Sequence, residues 1–504
     1  MRTLYRASKV HTLSLPPDGT WILVDGRHVQ RVGGGDPPAA DRVVELPGTT
    51  IIPGLIDTHV HLTGTGIQQA YPEVAATRAA TELVEILRMI AVTEPGPVLV
   101  HGFDESSWDH PDLPTIADLD ALTPEPLVVV RVDGHLSIGN RAALDPSGAL
   151  EEDGVERDGA GEPTGVVTLR ANQQLKRWVN AQLSEHRIQR LQLSAAATAA
   201  SCGVTCVHEM SLPAERGLRD LEVLLGHRAD LPTDIVTYIG TLDVAQAIDF
   251  GLPRVGGDLP VDGSLGAHTA ALSKPYADRP GELGTTSYED ERLGEFFLAG
   301  HAAGLQVGVH AIGDRAIEQV LRAWEDIYTA LDSRERRHFR ARRHRVEHFE
   351  MASPVQIERA AMLGLAISVQ PAFDAIWGGP VGMYETRLGA SRARRMNPFL
   401  ACLERGVELG VSSDAPITPL DPMAAMVALE RHHDPEQRLS RSQALHLSTY
   451  GGARLAHQED KKGALEPGMH ADFAAYDIDP TIEPELSDVR PVLTVSLGRM
   501  VYAR

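Results

Sequence analysis

IIPGLIDTHVHL, residues 51–62, is an apolar run that reaches Asp57 and then alternates His59, Val60, His61. On a strand, residues i and i+2 face the same side, so both imidazoles reach one point. A lone His-x-His also closes ordinary polar strand ends. Here it stands behind an apolar strand with Asp57 just upstream, which points toward metal binding. Three later apolar segments stop at the same chemistry: GLQVGVHAIGD at His310, HRVEHFE at His348 and GVSSDAPIT at Asp414. Four histidines and a carboxylate together make a ligand set for zinc, iron or manganese.

These segments belong to a longer alternation. Short apolar strands are expected at 50–56, 98–102, 127–132, 204–208, 235–239, 306–310, 345–348, 366–370 and 411–413, with amphipathic helices at 75–91, 185–200, 291–303 and 316–331 among the connections. Nearly all-apolar strands separated by helices imply a parallel sheet covered on both faces. An α/β fold of the (β/α)8 TIM-like barrel type fits the count better than an open sheet. Its active site lies at the carboxyl ends of the strands, where these polar residues stand. Residues 103–180, dense in Asp, Pro and Gly, fit simple strand–helix units poorly and read as an insertion near the barrel mouth. The chain ends differ again. An apolar run at 20–24, the turn Asp25-Gly26, a pair at 29–32 and then Gly33-Gly34-Gly35 follow hairpin grammar, and 471–476 and 492–502 resemble them.

Among 504 residues, 43 % are hydrophobic and 23 % charged, a globular balance that excludes fibrous and disordered chains. The 47 Lys plus Arg against 69 Asp plus Glu leave a net charge of −22, which argues against a nucleic-acid surface. Three cysteines exclude a disulfide scaffold, and Cys202 and Cys206 lack zinc-pair spacing. No stretch approaches the ~18 apolar residues of a membrane span, and residues 1–15 lack the pattern of a secretory leader. The expectation is a cytoplasmic protein that acts on a small molecule, without nucleic-acid or membrane partners, as a homo-oligomer with a dimer as the default. SRERRHFRARRHR, residues 333–345 with seven arginines, reads as a solvated helix face leading into a strand. No G-x-S-x-G elbow or P-loop is present.

The ordered segments GTTIIPGLIDTHVHL, HGFDESSW, VRVDGHLSIGNRAAL, GEPTGVV, GVTCVHEM, VDGSLGAHTAAL, VHAIGDRAI, RVEHFE, SVQP, SSDAP and KGALEPGMHADFAAYD run through almost the whole chain. By them it resembles the amidohydrolase superfamily, and within it the amidohydrolase-3 (YtcJ-like) branch. The resemblance implies a metal-dependent (β/α)8 barrel over 55–462, the insertion within it, and a small β-sandwich assembled from 1–54 and 463–504. It assigns ligand roles to His59, His61, His310, His348 and Asp414. One position departs: where the branch usually carries a lysine whose carboxylated side chain bridges two metals, GLPRVGGDLPVDGSLG places Asp258. Either Asp258 is a shorter carboxylate ligand, or one metal is held mainly by His59, His61, His310 and Asp414. Bridging by so short a side chain requires the backbone to approach, and one firmly held metal, Zn2+ before Fe2+ or Mn2+, is favoured. Lys274, beyond the DGS motif, is a weak substitute.

A metal in such a site lowers the pKa of water from roughly 16 toward about 7 and polarises a carbonyl. Asp414 is the natural group to accept the water's proton and pass it to a leaving amine. His348, if not a ligand of a second metal, can donate to the developing oxyanion, a contact worth roughly 3 kcal/mol. Candidate substrate contacts are His135 and His208, each at the end of an apolar strand, and Ser264 in the loop 262–266. Trp108, with Asp104, is placed near the entrance, and Trp377, with Phe373, as an apolar wall. The leading expectation is hydrolysis of a C–N bond in an amide, N-formyl, N-carbamoyl or cyclic amide compound. Deamination, ester or lactone hydrolysis, and a non-catalytic binding relative are the alternatives.

Overall fold

The computed structural model describes residues 1–14, 18–93, 96–486 and 489–504. Both chain ends join one hydrogen-bonded sheet. Among the described residues it has seven strands, in the order Arg499–Ala503, Leu493–Ser496, Phe473–Tyr476, Arg42–Pro53, Arg2–Val10, Gly19–Asp25 and His28–Gly33. The hairpin at Asp25 closes as expected, with Asp25 opposite His28 and Gly26 at φ 59°, a conformation glycine adopts without strain. Arg42–Pro53 links the two halves: its first part runs parallel to Arg2–Val10, and Pro53 faces Phe473 across an antiparallel pair. Because this long strand serves both halves, the hydrogen bonds run through one sheet where two facing sheets were expected. Tyr5, Ile22, Ile51, Phe473 and Val495 are buried together in its core. The expected strand at 50–56 is divided at Gly54, so residues 50–53 belong to this sheet and only the remainder turns inward.

The interior carries eight parallel strands in chain order: β1 Leu55–Val60, β2 Val204–Ser211, β3 Asp234–Ile239, β4 Arg254–Val255, β5 Gln306–Ala311, β6 Arg345–His348, β7 Ala366–Val369 and β8 Glu408–Val411. β2 pairs with β1 and β3, and β4 through β8 pair in succession. Gly256 N–H donates to the Ile239 carbonyl at 2.7 Å between the ends of β3 and β4. Beyond β8, a parallel bridge joins Ala415 to Val60 of β1. Helices fill the connections. Glu185–Ser201 precedes β2 with Ser184 as its cap, and Pro354–Leu363 opens on the Ser353/Gln356 capping box and stops at left-handed Gly364. Covered on both sides, most of these strands have every residue buried, which is why they read as apolar runs.

Two corrections concern strand membership. Val98–Phe103 and Leu127–Arg131, counted from their pattern among the barrel strands, pair with each other and with Leu136–Gly139, Pro163–Thr168 and Val155–Arg157 in a separate five-stranded sheet. Val128 and Val130 pack there on Leu99, Ile116, Leu144 and Leu175, in a core that also takes in Ile67, Leu191 and Val223 from helices of the main succession. Conversely, β4 in GLPRVGGD has no apolar run and escapes sequence reading. The arginine run also divides: Ser333–Arg342 forms a largely exposed helix, but Arg345 is fully buried at the start of β6. No helix of the described residues is long and apolar enough to cross a membrane.

Candidate metal centre

The end of β1 brings His59 and His61 to one side, with their Nε2 atoms 3.3 Å apart. Asp414, just past β8, places Oδ1 3.2 Å from His59 Nε2 and 3.4 Å from His61 Nε2. His310 and His348, at the ends of β5 and β6, face the same point with ring centroids 4.4 Å apart. Asp258 lies between the two groups. Its oxygens stand 3.8 Å from His59 Nε2, 3.5 Å from His61 Nε2, 3.2 Å from His310 Nδ1 and 3.4 Å from His348 Nε2.

The backbone makes room for this short side chain. Gly256 and Gly257 have φ of 85° and 64°, and a Cβ on Gly256 would meet the Gly308 carbonyl oxygen at 2.0 Å. The two strands therefore approach as only glycine permits. Val261 N–H then donates to the His310 carbonyl, and His310 N–H to the Leu259 carbonyl. Residues 256–261 thus bring the short Asp258 side chain up to the histidines. Lys274 is exposed and plays no part in the cluster.

Each ring has one nitrogen tied to the protein and the other turned to the cluster. Met210 O fixes His61 Nδ1 at 2.9 Å, and Gly263 O lies 3.3 Å from His310 Nε2. Gln370 Oε1 holds His348 Nδ1 at 3.0 Å, and Glu347 Oε2 holds His59 Nδ1 at 2.8 Å. A carbonyl or carboxylate oxygen only accepts, so the proton sits on the tied nitrogen and a lone pair faces inward. Lone pairs and carboxylate oxygens thus converge, and His348 Nε2 and Asp414 Oδ1 are buried without a hydrogen-bond partner. The electrostatics register the same demand for positive charge. Burial opposes charging of His61 and His310, yet Asp258, joined at His61 by Asp414, lifts both to about 9. Burial likewise opposes ionisation of Asp258 and Asp414, but the facing histidines hold both below the usual carboxylate range. A divalent cation answers every one of these acceptors, so the residues fit a metal.

Support comes from below. Arg345, fully buried, pairs with Glu347 at 2.5 Å and donates to the Thr58 carbonyl and to His208 Nδ1 at 2.9 Å. His348 and Asp414 both have left-handed backbones, at φ 73° and 55°, unusual for side-chain-bearing residues. Asp262 receives N–H donors from Ala271, Ile312 and Gly313, and burial pushes its carboxyl up to about 6 in spite of them.

The cluster opens into a cavity of about 590 Å³ lined by His61, Asp258 and His310, and also by His135. A smaller pocket of about 60 Å³ on the other side is lined by Ser264, Trp377, Phe373 and Tyr384. Ser264 donates to Asp133 at 2.7 Å, and Phe373 stacks on His348 with centroids 6.0 Å apart. The Gly263 and Ser264 N–H groups are consumed within their own loop by Thr269. Two expected substrate contacts lie elsewhere. His208 lines neither cavity: β2 runs on to Ser211, which leaves His208 fully buried within the strand, with Arg345 donating to its Nδ1. Trp108 is buried against Phe103 and donates to the Thr77 carbonyl at 3.0 Å, a packing role. Sequence reading passed over His101, Lys176 and Arg216, which line the larger cavity. His101 ends an apolar strand as the other histidines do and carried that signal; Lys176 and Arg216, on helices, carried none.

Known proteins share this layout. A protein named amidohydrolase YtcJ, from Bacillus subtilis (strain 168), is 27 % identical over 498 residues, covering 92 % of this chain and 90 % of that protein. The N-substituted formamide deformylase of Arthrobacter pascens is 24 % identical over 531 residues, covering 96 % and 95 %. Among solved structures, a metal-dependent hydrolase from Pyrococcus horikoshii OT3 superposes with a TM-score of 0.75 at 25 % identity, covering 96 % of this chain and 99 % of that one. The family model of amidohydrolases matches residues 42–502, and the chain belongs to the amidohydrolase family.

Proposed function

We propose that this protein hydrolyses a C–N bond of an amide, N-formyl, N-carbamoyl or cyclic amide compound at the His59, His61, Asp258, His310, His348, Asp414 cluster. The observation that carries the reading is the convergence of buried, unpartnered acceptors beside a cavity large enough for a small molecule. β1 to β8, with the bridge from Ala415 back to Val60, support a (β/α)8 barrel. The terminal sheet is read as a second domain from 1–54 and 463–504, and the five-stranded sheet as part of an insertion beginning near 98, earlier than 103.

Asp258 within 3.8 Å of all four histidines supports a bridging carboxylate and a pair of cations, Zn2+ before Fe2+ or Mn2+, rather than one. His59, His61 and Asp414 would hold one, and His310 and His348 the other. What bound cations contribute is Lewis acidity, which acidifies water and polarises the scissile carbonyl. Asp414 is placed to take the proton of the attacking water and deliver it to the departing nitrogen. With His348 read as a ligand, its alternative role as oxyanion donor lapses. Phe373 and Trp377 give the smaller pocket an apolar wall, and His135 offers a polar contact in the larger cavity.

Metal analysis of the purified protein, followed by assay of N-formyl, N-acyl and N-carbamoyl compounds, tests the reading. Metal-dependent release of amine is the expected result. Substoichiometric metal with no hydrolysis after reconstitution would refute it.

A further inference from the structure

We propose that Arg216, with His101, forms a recognition subsite for a carboxylate carried by the substrate, so that the compound hydrolysed is an acidic amide. The inference rests on the hydrolase reading above and names its substrate class. Arg216 ends the short helix Pro213–Arg216 that follows β2. Its guanidinium lies between the first turn after His61 and the loop after Asp414. A Cβ at Gly64 would stand 2.7 Å from its Nη2 and 3.3 Å from Pro416 Cδ. Gly64 is therefore what leaves space for the cation beside the cluster.

That cation makes no direct ion pair among the described residues, although it lies near enough to Asp220, Glu215 and Glu209 to favour their ionised forms. Its Nη1 donates to Asn180 Oδ1 at 3.2 Å, and among the described residues no carboxylate oxygen lies within ion-pair distance. Three of the acids that line the same cavity are engaged by other cations: Glu215 by Lys176 at 2.6 Å, Asp133 by Arg131 at 2.7 Å and Asp153 by Arg170 at 2.6 Å. The half-buried Arg216 guanidinium thus lines the cavity free of a direct ion pair, and its planar fork matches a carboxylate. A phosphate dianion would carry one charge too many among these acids.

His101 is the second observation. It is 6 % exposed, lines the same cavity, and has no hydrogen bond from either ring nitrogen; Nδ1 is sealed from solvent. Buried polar groups are ordinarily satisfied, so this ring is short of a partner. Burial, with Arg216 and Lys176 nearby, drives its pKa down to about 3, which keeps the ring neutral with one N–H to donate. A carboxylate gripped by the Arg216 fork would accept an N–H from Nε2, the ring nitrogen that is not sealed.

The test uses the full-length zinc-loaded protein and matched pairs: N-formyl glycine, N-formyl β-alanine and N-formyl 4-aminobutyrate against their primary carboxamides. In the best-fitting pair, kcat/KM for the acid should exceed that for the amide by about 10- to 100-fold, the span of a charge-assisted contact. Arg216→Gln should bring the ratio near one, and Arg216→Lys should give an intermediate ratio because the charge returns without the fork. Equal rates for acid and amide in the wild type, or a ratio that survives Arg216→Gln, would overturn the proposal. If neither compound is turned over, the hydrolase reading is judged by the broader assay above, and calorimetric titration of the same pairs judges the subsite alone. Tighter binding of the acid, abolished in Arg216→Gln, supports it; equal or undetectable binding of both overturns it. Circular dichroism of each variant establishes folding, and the Lys variant carries the comparison should the Gln variant unfold.

Discussion

Glu347→Gln separates the two tasks of one buried carboxylate. Glu347 is fully buried, with Oε1 2.5 Å from Arg345 Nε and Oε2 2.9 Å from its Nη2 and 2.8 Å from His59 Nδ1. It is the carboxylate that neutralises Arg345, itself 0 % exposed. Glutamine preserves the shape but removes the charge and turns one oxygen into an NH2. If that NH2 faces the guanidinium, donors oppose donors. If it faces His59 Nδ1, the imidazole must accept there and carry its proton on Nε2, the nitrogen that points at Asp414. Either way something is lost. Leaving a buried charge unpaired costs about 3–5 kcal/mol. With an unfolding entropy of about 2.1 cal/mol/K per residue, a chain of 504 residues loses roughly 1 °C of Tm per kcal/mol, so a fall of about 3–5 °C is expected. Loss of the group that orients a metal-binding imidazole weakens metal affinity by about 10- to 100-fold. Calorimetric melting reads the first effect and competition with a chelator the second. An unchanged Tm would refute the ion-pair argument. A lowered Tm with an unchanged chelator midpoint would refute the claim that Glu347 sets the His59 tautomer.

Three further outcomes are expected. Asp258→Ala should lower the metal bound per chain, whereas unchanged content would remove Asp258 from the ligand set. Asp414→Asn should retain metal on the four histidines and Asp258 while turnover falls by about 10²- to 10⁴-fold; wild-type rates would refute its proton-transfer role. The third concerns Asp374 and His433, whose Oδ1 and Nδ1 are 2.5 Å apart. The hydrogen bond to Asp374 raises the pKa of His433, so its stabilisation is complete below the unfolded value of about 6.5 and fades as pH rises through the folded one. Asp374 is opposed by burial but held low by His433, so its contribution is lost only as pH falls through its depressed value. The Tm gap between wild type and His433→Gln should be wider near ~pH 6 than near ~pH 9, and a constant gap would refute the linkage.

Which residues were legible depended on whether their role is set locally. His59, His61, His310, His348 and Asp414 each stand at the end of an apolar run, and a strand in a covered parallel sheet delivers its end to one face of the fold. That rule needs no knowledge of neighbours. Asp258 breaks it. Its position was found by resemblance alone, because β4 is two residues long and the glycines at 256, 257 and 308, rather than an apolar pattern, bring it inward. The runs at 98–103 and 127–131 fail in the opposite sense. A continuous apolar run reports burial on both faces, and a separate sheet packed on both sides satisfies that as well as the main succession does. Partner identity decided the rest. His208 reads in pattern as the end of an apolar strand, as His310 does, yet β2 continues to Ser211 and Arg345 reaches His208 Nδ1 from β6, 137 residues away. The arginine that occupies it comes from a run that reads as solvated. Whether a strand-end histidine serves a site or a core is therefore settled by which long side chain arrives from elsewhere, and at His101 no such side chain arrives.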